Sequence, residues 1–198
     1  VTQGDLLDPI LFTPHPLPSA YGQIAENKAA LEQVLSSLRT TEKPIVAISL
    51  PYDEAKTDVL RDLAASLAAS PLTLPGPRRL LRVRLSRWGG TPISRSTDLN
   101  DLFARAGELG GTALAIDLDE VASLMGTIPK PMEHLLQSWA GLETPPPLVF
   151  ISSSRSHRKF LNTGSQDKSP VVDFPPGRAA VRALLDSEAH RIQTTSSC

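Results

Sequence analysis

The chain has 198 residues, enough for one domain with a full core, and 40% of them are hydrophobic, which indicates a globular rather than a disordered chain. The net charge of −1 argues against the positive field of a nucleic-acid-binding domain, so we expect no nucleic-acid partner. The single cysteine, Cys198, excludes an internal disulfide framework and a cysteine-based zinc site. No apolar run is as long as a membrane span, and we expect an intracellular location, cytoplasmic or organelle-associated.

The first half of the chain alternates helical and strand patterns after a proline-rich start. Residues 1–18, which include the run LFTPHPLPS, predict an irregular arm or linker. Apolar residues then recur at helical spacing in two segments, and a short apolar run follows each of them. The predicted elements are a helix at 19–38, a strand at 45–50, a helix at 56–69 and a strand at 80–85.

The segment from Ser96 to Leu124 is the most informative part of the second half. It predicts an amphipathic helix that Gly110-Gly111 ends, followed by a buried strand at 113–116 that runs into Asp117. An acid at the carboxyl end of a buried strand lies where open α/β sheets bind ligands. The remaining predicted elements are a helix at 132–141, strands at 148–151 and 171–174, and a helix at 177–192, with 193–198 as a frayed end.

Strands that alternate with helices indicate a sheet covered by helices on both faces. The sequence therefore predicts an α/β fold: a three-layer, doubly wound domain around a mostly parallel, five-stranded sheet. We expect this domain to span residues 19–192.

Six segments in chain order resemble the large subdomain of the AAA ATPase family, a P-loop NTPase fold. They are YGQIAENKAALEQVL, IVAISLPYDEAKTDVLRDLAASLA, LLRVRLSRWGG, LLQSWAGLE, LVFISSSRSHRKFLN and VVDFPPGRAAVRALLDSEAHRI, and they span residues 21–192. The helix and strand before Asp117 resemble the Walker B region of the same family. The resemblance implies a small lid subdomain after the final helix, and we expect residues 19–192 to lack it.

The resemblance places a nucleotide site at Lys56, Thr57 and Asp117, but much of its chemistry is altered. In the family, Lys56 and Thr57 end the Walker A loop, and three glycines let backbone amides approach the phosphates. Here those glycines are replaced by Leu50, Asp53 and Ala55. Asp53 and Glu54 place negative charge beside a polyphosphate, so the site is expected to be vestigial. The alternative is an ordinary turn in which Asp53 or Glu54 caps the next helix.

The residues that activate water in the family are also replaced. The resemblance puts the metal-holding acid at Asp117, and the catalytic Glu that should follow is Leu118. A slip in the alignment would use Asp119 and Glu120 instead; alternatively, these two acids form the first turn of a helix. The sensor Asn position matches Arg155, and residues 162–168 contain none of the arginines that the family supplies to a neighbouring subunit.

Aromatic and basic residues gave two further expectations. Trp88-Gly89-Gly90 resembles the pore loop that grips polypeptide in AAA rings, although Trp88 packed on the sheet edge explains it equally well; Trp139 is expected in the core. Two basic clusters are expected at the surface, the first of them as a salt-bridged rim at a subunit contact. Their members are Arg78, Arg79, Arg82, Arg84 and Arg87, and then Arg155, His157, Arg158 and Lys159.

These substitutions predict a catalytically inactive AAA-like module with a structural or assembly role in a larger ring or complex. Its expected partners are active AAA subunits or tandem AAA modules in a hetero-oligomer, for protein unfolding, translocation or remodelling. We expect no catalytic residues, no metal ligands and no cofactor. The alternatives are a regulatory domain that binds ATP and Mg²⁺ without hydrolysis and, third, an enzyme of unrelated chemistry on a Rossmann-like sheet.

Overall fold

The computed structural model describes residues 7–9, 19–40, 44–83, 103–104, 106–108, 110–127, 129–157, 171–177, 181–186 and 189. Within these residues, the chain forms ten helices and strands. They are β1 (Leu7–Pro9), α1 (Ala25–Arg39), β2 (Ile45–Ser49), α2 (Ala55–Ala68), β3 (Arg79–Val83), β4 (Thr112–Asp117), α3 (Leu118–Met125), α4 (Pro129–Ala140), β5 (Leu148–Ser152) and β6 (Val171–Asp173). Further helical residues precede β4 (103–104 and 106–108) and follow β6 (181–186).

The strands form one six-stranded sheet in the order β1-β3-β4-β5-β2-β6. The pairs β3–β4, β4–β5, β2–β5 and β2–β6 are all parallel, which confirms the predicted five-stranded parallel sheet. In the register of the central strands, Ser49 pairs with Ser152 and Asp117 pairs with Ile151. The carboxyl ends of β2, β4 and β5 therefore lie side by side.

The sixth strand, β1, comes from the segment that the sequence predicted to be irregular. Leu7–Pro9 pairs antiparallel with β3 at the edge of the sheet. An edge position tolerates Pro9, which has no N–H to give to a ladder. A strand of three residues is too short to show a period of two, so sequence patterning did not reveal it.

Two hydrophobic clusters, one on each face of the sheet, confirm the three-layer arrangement. Successive residues of β2 alternate between them, with Val46 and Ile48 in one cluster and Ala47 in the other. The first cluster contains apolar side chains of α1 and α2, including Val34, Leu38, Val59, Leu60, Leu63 and Leu67. The second contains Phe103, Ala106, Leu118, Val121, Leu135 and Trp139.

The turn before β4 and the turn before β5 are each fixed by a local feature. Gly110 and Gly111 both have positive φ, 55° and 59°, so the predicted glycine break is confirmed. Trp139 is 5% exposed, as predicted for a core residue, and its indole Nε1 donates to the carbonyl of Pro146 at 2.6 Å. This bond anchors the proline run 145–147 against α4.

Among the described residues, no helix combines the length and apolarity needed to cross a bilayer.

Candidate functional site

Lys56 and Asp117 meet at the carboxyl ends of the parallel strands. Lys56 is the second residue of α2, and Asp117 is both the last residue of β4 and the N-cap of α3. The amine of Lys56 lies 3.1 Å from each carboxylate oxygen of Asp117. The structure therefore brings these two predicted site residues together, whereas Thr57, the third, is exposed on the first turn of α2.

The amine of Lys56 also contacts two further carboxylates. It lies 2.6 Å from Asp119 Oδ2 and 2.8 Å from Asp53 Oδ1, while its own side chain is only 8% exposed. Burial alone would lower the pKa of Lys56, but the hydrogen bonds to Asp119 and Asp53 and the charge of Asp117 outweigh it and raise that pKa. Lys56 is a permanent cation whose donors are directed at the protein's own acids.

Asp119 is the most heavily hydrogen-bonded carboxylate of the site. Besides Lys56, it accepts from Ser152 Oγ at 2.7 Å, from the Ser153 amide at 2.9 Å and from Ser153 Oγ at 3.1 Å. His157 Nδ1 lies 2.6 Å from Asp119 Oδ1, and the carboxylate assigns the imidazole proton to that nitrogen. Burial would raise the pKa of Asp119, but the bonds from Lys56, Ser153, His157 and Ser152 hold it well below its usual range.

Asp117 joins the site to the start of α3 and to β3. Its carboxylate accepts the Asp119 amide at 2.9 Å, which is an N-cap bond to one of the free donors of the helix terminus. Arg82 Nη2 lies 3.2 Å from Asp117 Oδ2, and the Asp117 side chain is 6% exposed. Arg82 therefore forms an ion pair within the chain, and its place in a rim at a subunit contact stays a prediction. Its partner is within the chain, because β3 lies beside β4 in the sheet.

Two backbone amides of the β2–α2 turn donate hydrogen bonds to carbonyls of the same turn. The Ala55 amide donates to the Tyr52 carbonyl at 3.3 Å, the Lys56 amide donates to the Asp53 carbonyl at 3.1 Å, and Pro51 has no amide proton. Glu54 takes the N-cap position without a side-chain hydrogen bond, so the predicted side-chain capping is wrong. The Asp53 carboxylate instead accepts from Lys56 and Ser153, and its bond to Lys56 lowers its pKa.

Three residues of the site were missed as site residues in the sequence: Ser152, Ser153 and His157. Ser152 ends β5 and is 1% exposed, and the other two follow it within five positions. The available signal was positional, since parallel strands bring their carboxyl ends to one edge of the sheet and Ser152 is the first polar residue after the apolar run LVFI. The sequence predicts His157 in a surface cluster, whereas its side chain is half-buried against Asp119.

Comparison with known proteins finds a likeness in fold. No protein-family model and no curated protein match the sequence. A closed-state cryo-EM reconstruction of Hsp104 with ATPγS and FITC casein contains a similar chain, with a TM-score of 0.65 at 16% identity. This chain has an AAA-like fold. The match covers 93% of it and 33% of the Hsp104 chain, so this chain spans about a third of the length of the one it matches.

The structure also describes the positions that the resemblance matches to water activation. Leu118, directly after Asp117, is fully buried in the core under α3. Because β4 ends at Asp117, Asp119 and Glu120 lie in the first turn of α3, as the helix alternative predicted, and the alignment slip is wrong. Arg155, matched to the sensor position, is exposed; Ser152 and Ser153 contact the site in its place.

Several predicted features fall outside the described residues. These are the pore-loop candidate Trp88-Gly89-Gly90, the basic residues Arg84, Arg87, Arg158 and Lys159, and the segment 162–168. Arg78, by contrast, is described, and its guanidinium donates to backbone carbonyls of the α2–β3 connection, so it too has an intramolecular role. Within the described part of the chain, no group of three His, Cys, Asp or Glu residues is arranged to hold a metal ion.

Proposed function

We propose that this chain is a catalytically inactive AAA-like module, spanning residues 19–192, with a structural or assembly role in a larger AAA ring or complex. The AAA-like fold is the first support for this proposal. The observation that carries it is the pairing of the Lys56 amine with Asp53, Asp117 and Asp119 at 2.6–3.1 Å. A lysine held in this way is not available to neutralise a phosphate.

The charge balance of the site argues against a polyphosphate ligand. Three carboxylates, Asp53, Asp117 and Asp119, face two permanent cations, Lys56 and Arg82. A nucleotide would add negative charge to a partly buried cluster that already has an excess of it. Two like charges about 4 Å apart repel by roughly 4 kcal/mol at the effective dielectric constant of a protein surface.

The backbone of the β2–α2 turn supports the same conclusion. A phosphate loop binds through amides that point into a concave turn. Here the Ala55 and Lys56 amides donate to carbonyls of the turn itself, and Pro51 offers no amide proton. A bound phosphate would have to break these bonds as well as the ion pairs of Lys56.

The proposed partners are active AAA subunits, or AAA modules in tandem, that bring this chain into a hetero-oligomer. The similar Hsp104 chain was reconstructed with ATPγS and FITC casein, which supports an ATP-dependent protein-handling complex as the setting. Cross-linking mass spectrometry of the native complex is expected to join this chain to ATPase subunits. A complex without any ATPase subunit would contradict the assembly role.

The first test is a titration of the purified chain with a fluorescent ATP analogue, with and without Mg²⁺. We expect no saturable binding up to millimolar nucleotide and no ATP hydrolysis, in wild type and Lys56→Ala alike. Micromolar binding that the Lys56→Ala variant loses would reject the structural role and favour the second candidate, a regulatory domain that binds ATP without hydrolysis. That candidate draws on the closeness of Lys56 and Asp117, the two retained groups that meet in the site.

A further inference from the structure

The resemblance gives Asp119 no role in its ungapped alignment, yet the Asp119 carboxylate has more hydrogen-bond donors around it than the other carboxylates described in the site. Among the described residues, five donor atoms lie within hydrogen-bond distance of its carboxylate: Lys56 Nζ, Ser152 Oγ, Ser153 N, Ser153 Oγ and His157 Nδ1. Both oxygens are used. Oδ1 accepts from Ser152 and His157, and Oδ2 accepts from Lys56 and Ser153.

These donors come from separate parts of the chain that converge at one edge of the sheet. Lys56 begins α2, Ser152 ends β5, and Asp119 itself lies in the first turn of α3. We propose that the Asp119 carboxylate is a built-in anion that locks the β2–α2 turn, the β4–α3 turn and the end of β5 together without a bound ligand. The lock is the set of hydrogen bonds and ion pairs to Asp119.

The groups around Asp119 are those of an anion-binding site, and the anion is a side chain of the protein itself. A cationic amine, a backbone amide, two hydroxyls and an imidazole N–H surround one carboxylate, which also lies in the first turn of a helix. In an ordinary nucleotide-binding module, the ligand's phosphate supplies the negative charge at this edge. This inference rests on the proposed function in one respect, because it takes the site to be free of nucleotide.

The lock requires a carboxylate at position 119. A carboxylate accepts on both oxygens, but an amide of the same shape accepts on one side and donates on the other. In the Asp119→Asn variant, an NH₂ group on the Oδ2 side faces the Lys56 amine and the Ser153 amide, which can only donate. On the Oδ1 side it requires the other tautomer of His157, and in both orientations the negative charge that pairs with Lys56 is lost. Lys56→Met removes the cation instead and leaves three carboxylates without it.

The experiment measures thermal unfolding of the full chain for Asp119→Asn, Lys56→Met and the double variant. Matched controls are Glu32→Gln and Lys28→Met, whose side chains are exposed on α1. We expect each site variant to lower Tm by about 10 °C, each control to change it by about 1 °C, and the double variant to lose clearly less than the two single losses together. Site variants that behave like their controls, or additive losses, would overturn the lock.

Amide hydrogen exchange separates a local lock from a general loss of stability. The Ser153 amide donates to Asp119, whereas the Leu114 amide donates to the Pro147 carbonyl at the opposite end of the strands. Under conditions where the wild type and Asp119→Asn are both folded, we compare the increase in exchange rate that the substitution causes at each amide. The increase at the Ser153 amide should be at least ten times the increase at the Leu114 amide. Equal changes at the two amides would contradict the proposal. Nucleotide binding by the wild type would reject the proposed function, while these measurements would still decide the lock.

Discussion

Lys56 illustrates how the surroundings of a side chain decide what it can do. The same residue type at the start of a helix serves phosphate binding when its amine points at a ligand. In this chain the amine is nearly buried and is shared among Asp53, Asp117 and Asp119. Its charge is therefore balanced within the fold, and a lysine at this place in the sequence does not by itself indicate a nucleotide site.

At the residue scale, Gly22 provides a sharp test of packing next to α2. A Cβ added at Gly22 would lie 2.0 Å from Asp62 Oδ2 and 2.9 Å from Asp62 Cγ. That carboxylate is buried and accepts from the amide and hydroxyl of Ser19. Gly22→Ala must displace it, so we expect a loss of about 2 kcal/mol in the free energy of unfolding, measured by urea denaturation.

The control for this prediction is Gly107→Ala. Gly107 is helical and exposed, and a Cβ there meets no atom within 4 Å. Alanine is favoured over glycine in a helix, so this variant should be neutral or more stable by up to about 1 kcal/mol. Equal stability of the two variants would show that Asp62 and Ser19 move aside without cost.

At the element scale, the α2–β3 connection depends on one guanidinium. Arg78 donates to the carbonyls of Ser70, Pro71 and Leu74 at 2.5, 2.7 and 3.1 Å. Arg78→Ala should cost about 1–2 kcal/mol and make the connection more sensitive to limited proteolysis, because three carbonyls lose a charged donor. Arg79→Ala, at an exposed neighbouring position, should change stability by less than about 0.5 kcal/mol; a similar loss in both variants would refute the role of Arg78.

At the scale of the whole molecule, the site predicts how stability depends on pH. The pKa values of Asp53 and Asp119 are lowered in the fold, so their contribution is present above about pH 4 and is lost as the pH falls through their folded values. The pKa of Lys56 is raised, so its contribution is present below about pH 10 and is lost as the pH rises through its folded value. Urea unfolding across the pH range should therefore show that these three groups add no pH dependence between about pH 5 and 9.

The alkaline loss of stability has a second contributor, which gives a control. Burial, with the negative charge of Tyr52 and Asp58 nearby, raises the pKa of Tyr21 to about 12. The Tyr21 contribution is likewise present below about pH 10 and is lost above it. Lys56→Met and Tyr21→Phe should each reduce the alkaline fall, and only Lys56→Met should also alter the acid limb, because it removes the partner of Asp53 and Asp119. Unchanged limbs in Lys56→Met would contradict the charge assignment.

Local sequence patterns are enough to predict the fold class, because short apolar runs bounded by glycine and proline specify buried strands. The four strands β2–β5 and the helix α2 lie within about two residues of their predicted bounds, whereas α1 begins at Ala25, later than the predicted start at residue 19. The break at Gly110-Gly111 and the burial of Trp139 are also predicted from the residues around them in the sequence. The edge strand β1 is not, since its pairing partner β3 is more than seventy residues away in the chain.

The full set of residues in the site, in contrast, emerges only in the folded chain. The resemblance located Lys56 and Asp117, because each of them can be identified from its neighbours in the sequence. The partners of Asp119 are 33 to 38 residues away along the chain at Ser152 and His157, and Lys56 is 63 residues away. Parallel register brings these groups to one edge of the sheet, and burial then sets which charges pair. Neither register nor burial is encoded at a single position, so the self-paired state of Lys56 could be found only in the folded chain.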